Sequence, residues 1–78
     1  PVPAEMAEAL AKIRAIKAEL TKNSEDVGRA FAEEARKIHF GETEPRTIHG
    51  QASEAEARAL ADDGVAFSVL PVLPEDRN

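Results

Sequence analysis

No cysteine, tryptophan or tyrosine occurs among the 78 residues of this chain, and phenylalanine appears only three times. The missing cysteine excludes disulfides and thiolate metal sites, the usual staples of folds this small. The scarcity of aromatics leaves the core to aliphatic side chains. Valine, isoleucine, leucine, phenylalanine and methionine together number 18, and alanine adds 15. Alanine is the best helix former and contributes little buried area, so the composition favours packed helices with thin cores. A basic face is missing too: fifteen acids against ten bases leave a net charge of −5. Phosphate backbones are bound through clustered lysine and arginine, so no nucleic-acid partner is expected. No apolar run approaches the roughly 20 residues that span a bilayer, and nothing reads as a signal peptide. A cytoplasmic, membrane-free protein is the expectation. The chain starts at Pro1 without methionine, so it is expected to be a piece of a longer protein, with residues 1–74 forming one small domain and 75–78 a disordered tail.

The clearest periodicity lies near the start. Met6, Leu10, Ile13, Ile16 and Leu20 recur every three or four residues and share one face of a helix over about residues 4–20. Pro3 suits a first helical position, and acids precede bases along the segment, as the helix dipole favours. Thr21–Ser24 break the pattern. Asn23 can take a left-handed C-terminal conformation, and Asn23 or Ser24 can cap a second helix. That helix would carry Val27, Phe31, Ala35 and Ile38 on one face, with Glu33 and Lys37 paired on the polar side. Gly28 within it reads either as a fray near the helix start or as a point of close helix contact.

Gly41 closes this helix after Phe40, and GETEPRTIHGQA follows as a loop of about ten residues with Ile48 its single strong apolar side chain. Ser53 and Glu56 form a capping box for a short third helix that runs through Leu60 to Asp62 or Asp63 and stops at Gly64. Arg58 is placed to pair with Asp62. Val65, Phe67 and Val69 then alternate as in an extended segment, and Pro71 and Pro74 exclude a helix or a central strand.

The stretches RAFAEEARKIHFGE and HGQASEAEARALADDGVAFSVLPV resemble the C-terminal part of a bacterial family known as domain of unknown function 1178. Its members carry a helix similar to FAEEARKIHYGE, a loop into G-x-A-[ST]-x-x-E-A, and a Leu-Pro-rich end. The resemblance covers about residues 26–74. It implies a preceding zinc-ribbon-like segment with paired cysteines and brings no catalytic residue to this chain. His49 stands where the family pattern has other polar or aromatic residues.

His39 and His49 are the two imidazoles, with Glu42 and Glu44 between them. Such side chains are competent metal ligands, yet H-x9-H across a loop does not preorganise a site as H-x-x-x-H on one helical face does. His39 fits better as a cation at the end of the second helix. Ser24 and Ser53 read as caps, and Ser68 has no base beside it. Adjacent Asp62 and Asp63 read as a solvated turn rather than an acid–base pair.

The expectation is an all-α domain: an antiparallel hairpin of two helices joined near Asn23, a short third helix, and an extended apolar C-terminal segment. Function is expected to be non-catalytic, a protein-interaction or homo-oligomerisation module without cofactor. Its contacts would come from Met6, Leu10, Ile13, Ile16, Leu20, Val27, Phe31 and Ile38. The competing expectation is a metal-dependent or enzymatic component using His39, Glu42 and His49.

Overall fold

The computed structural model describes residues 3–76, which fall into two compact units: residues 3–22 with 69–76, and residues 23–68.

The first unit is built on helix α1, Ala4–Thr21, with Pro3 at its N-cap and Glu5 in its first turn. The Thr21 hydroxyl donates to the Lys17 carbonyl at 2.9 Å near its end. The partner of α1 is the C-terminal segment. Arg14 grips the Glu75 carboxylate with both Nε (2.7 Å) and Nη2 (2.8 Å), and Lys17 Nζ reaches Asp76 Oδ2 at 2.6 Å. Pro74–Asp76 form a single 3-10 turn. A proline at the first position of such a turn has no amide to satisfy, which is why Pro74 opens helical geometry that it was expected to exclude. Asp76 ties the turn back: its amide donates to the Leu73 carbonyl at 2.9 Å, and its carboxylate accepts from the Leu73 amide at 3.1 Å. Leu73 is buried. Of the tail expected at 75–78, Glu75 and Asp76 belong to this turn, and Arg77 and Asn78 lie outside the described residues.

In the second unit the residues expected to start a second helix are extended instead. Strand β1, Glu25–Asp26, pairs in parallel with strand β2, Ile48–His49, in the register Glu25 with Ile48 and Asp26 with His49. Two bonds extend the pairing: Glu25 N to Thr47 O at 3.0 Å and Val27 N to His49 O at 2.9 Å. Parallel strands need a long crossover, usually a helix, and helix α2, Phe31–His39, supplies it after a 3-10 turn at Gly28–Ala30. The protein is therefore mostly helical with a small parallel sheet, and the all-α hairpin is corrected. The physical reason sits at Gly28, whose φ of +55° breaks right-handed geometry before α2 can extend back. Asn23 does not play the left-handed role, since no described non-glycine residue has positive φ.

Helix α3, Glu54–Asp62, begins at the expected capping box: the Glu56 amide donates to Ser53 Oγ at 3.1 Å, and the Ser53 amide donates to Glu56 Oε1 at 2.8 Å. Both α2 and α3 end in Schellman motifs. After α2, Glu42 N bonds Lys37 O (2.8 Å) and Gly41 N bonds Ile38 O (3.2 Å); after α3, Val65 N bonds Leu60 O (2.9 Å) and Gly64 N bonds Ala61 O (3.0 Å). Gly41 and Gly64 supply the left-handed residue in each. The second motif also brings Val65 into the core with Leu60, Ala32 and Ala35, against which Phe31 and Ile48 pack. Arg36 of α2 pairs with Asp63 after α3. Arg58 pairs with Glu54, 3.6 Å away, rather than with Asp62. Residues 65–70, expected to be extended, belong to neither strand of the sheet.

Candidate interaction surface

Helix α1 buries none of its residues. The half-buried residues of α1 are Leu10, Ile13, Lys17 and Thr21, which at 100° per residue share one face, and the C-terminal segment engages Arg14 and Lys17 on that face. The apolar stripe read from the sequence is rotated away from that face. Leu10 and Ile13 are half-buried at its edge, while Met6 (55% exposed), Ile16 (55%) and Leu20 (58%) stay open. Charge explains the offset. Two ion pairs anchor the segment along Arg14 and Lys17: Lys17 projects between Leu10 and Met6, and Arg14 lies about 40° beyond Leu10, on the side away from Ile16 and Leu20. Exposed Val69 and Val72 belong to the same unit. The ion pairs also leave an electrostatic mark: the hydrogen bond from Arg14 holds the Glu75 carboxyl below its ordinary range, and Lys17 does the same to Asp76, each helped by a backbone amide.

The remaining expected contact residues sit in the second unit and turn toward it. Phe31 packs on the core, and Val27 and Ile38 are half-buried. The expected metal ligands occupy different settings. His39 ends α2, exposed, with its ring edge-on to Phe40 at 4.8 Å. Glu42 is exposed and contributes its amide to the α2 stop. His49 lies half-buried on β2 with Nδ1 2.8 Å from Ser24 Oγ. Among the described residues no three histidine, aspartate or glutamate side chains are grouped as a metal ion requires. Ser24, expected to cap a helix, thus meets a histidine across the sheet.

A shallow cleft of about 390 Å³ is lined by Arg29, Gln51, Ala52, Ser53 and Glu56. Ser53 and Glu56 are committed to each other in the capping box, and Arg29 and Gln51 are the other polar side chains that line the cleft. Neither the cleft nor the Arg14–Glu75 clasp was legible beforehand. The one available signal for the clasp was the Pro-Glu-Asp order of residues 74–76, which places two carboxylates in a helical first turn. No helix among the described residues is long and apolar enough to cross a membrane.

The chain belongs to the family described as protein of unknown function (DUF1178), whose model matches residues 2–75. The match takes in α1, which the resemblance over residues 26–74 left out. No curated protein and no solved structure matches the chain.

Proposed function

We propose that this member of the DUF1178 family is a non-catalytic protein-interaction module whose contact surface is the apolar face of α1. The observation that carries the reading is an eighteen-residue helix with no buried side chain and with Met6, Ile16 and Leu20 all more than half exposed. Helices in proteins draw most of their stability from a packed apolar face rather than from propensity. An apolar stripe left in water forfeits about 1.5–3 kcal/mol for each large side chain that a partner would bury. The second unit differs in having a core of its own, Ala32, Ala35, Leu60 and Val65, with Phe40 (57% exposed) and Phe67 (37%) outside it.

The test is photo-crosslinking in cells that express the chain. A photoreactive residue at Ile16 or Leu20 is expected to give a discrete adduct, and the same group at Ala11 or Ala18, on the opposite exposed face of α1, is not. Adducts from all four positions alike, or from none, overturn the proposal.

A further inference from the structure

The open face of α1 has a finer pattern than the stripe alone. Met6, Ala9, Ile13, Ile16 and Leu20 are separated by three, four, three and four residues, which is the spacing of a coiled-coil seam; Ile13 is half-buried at its edge and the other four are exposed. Leu10 and Lys17 lie on one flank of this seam, the flank that carries the Glu75–Asp76 clasp through Lys17 and the adjacent Arg14. Glu5, Lys12 and Glu19 lie on the other flank, all exposed. Among the described residues neither Glu5 nor Lys12 makes an ion pair, and Glu19 reaches Lys22 at 3.1 Å in an exposed i,i+3 contact.

We infer that the occupant of this face is α1 of a second copy of the chain, docked antiparallel. The inference rests on the reading of α1 as a contact surface and names its partner. Charge decides the orientation. In a parallel pair each Lys12 faces Lys17 of the other copy across the flank, and the two-fold axis repeats that repulsion. In an antiparallel pair like flanks meet. With Ile13 set opposite Ile16 of the second copy, Lys12 comes opposite its Glu19, and symmetry makes the attraction twice. The same register sets small Ala9 against large Leu20, a pairing that lets the two helices interdigitate. It keeps the clasp-bearing flanks away from the Lys12–Glu19 contacts, and it opposes the two helix dipoles.

The measurement is sedimentation equilibrium of the full chain from about 1 to 500 µM, with the Lys12→Glu and Glu19→Lys variants and their combination. A helix pair this short sits at the small end of interfaces, and a dissociation constant on the order of tens of micromolar is expected. Each single reversal should weaken the dimer roughly two- to tenfold, since it loses two equivalent surface pairs, and the double reversal should return it to near the parent value. Ile16→Glu, at a position already exposed, should leave the monomer folded by circular dichroism and abolish the dimer. A chain that stays monomeric throughout overturns the inference, as does a dimer that tolerates Ile16→Glu or that both single reversals leave unchanged. The crosslinking experiment separates this failure from that of the module itself. An adduct from Ile16 at twice the chain mass supports the second copy. An adduct of any other mass leaves the contact surface standing and removes the second copy as its occupant.

Discussion

Gly50 passes so close to Gly28 that a Cβ on Gly50 would lie 2.4 Å from the Gly28 carbonyl oxygen and 3.1 Å from its nitrogen. The same carbonyl accepts from the Gln51 amide at 2.8 Å, so the turn before α2 and the exit of β2 are joined backbone to backbone. Gly28 has open space around its own Cβ position but a φ of +55°. Two glycines are thus required at one junction for different reasons, proximity in one and backbone conformation in the other.

Substituting them should separate the two causes. Gly50→Ala must displace backbone and is expected to cost about 1–3 kcal/mol, as overpacking does. Gly28→Ala meets no atom and should cost about 1–2 kcal/mol through its left-handed φ alone. Gly28→Asn should recover part of that loss because asparagine tolerates this region, while Gly50→Asn should not. Urea midpoints of the four variants check the ordering.

Leu60 is the side chain with no exposure at all, in a core otherwise made of two alanines and Val65. Leu60→Ala is expected to cost about 2–5 kcal/mol, a large share of what so small a core supplies. Val69→Ala, at 86% exposure, should change stability by less than about 0.5 kcal/mol. Hydrogen exchange reads this directly: the Val27 and Gln51 amides should lose protection in the first variant and keep it in the second.

Among the described residues the Thr43 hydroxyl, beside the α2 stop, is buried and has no hydrogen-bond partner. Its desolvation is uncompensated, so the near-isosteric Thr43→Val is expected to stabilise the protein by about 1 kcal/mol. Thermal melts followed by circular dichroism would show a higher midpoint, and an unchanged or lower one would contradict the prediction.

Acid should loosen the clasp on α1. Glu75 and Asp76 have folded values below their ordinary ones of 4.5 and 3.8, so the unfolded chain binds their protons more readily. Their contribution is complete above those ordinary values and is lost as pH falls below them through the depressed folded values. Both carboxylates are solvent-exposed, and added salt should weaken the same contacts. Chemical shifts of residues 70–76 followed from pH 7 downward would report the release, and Arg14→Ala should produce a similar release at neutral pH.

Much of the local structure could be read from residue order because its causes are local. Three- and four-residue spacing specified α1, reciprocal side-chain and backbone bonding specified the start of α3, and the glycines at 41 and 64 specified two helix ends. The sheet was hidden for the opposite reason. Strands of two residues have no alternation to display, and Glu25 and Ile48 are brought together only after α2 has turned the chain back. Gly28 carried a signal, a glycine inside an apparent helix, but its meaning depended on Gly50 lying beside it. The surface of α1 divides in the same way. Sequence by itself determined that this helix has an apolar face, since the period of the side chains is a property of the backbone. Which part of that face stays open was decided by tertiary structure, because two short-range ion pairs from Glu75 and Asp76 hold the covering segment along Arg14 and Lys17 and leave Met6, Ile16 and Leu20 in water.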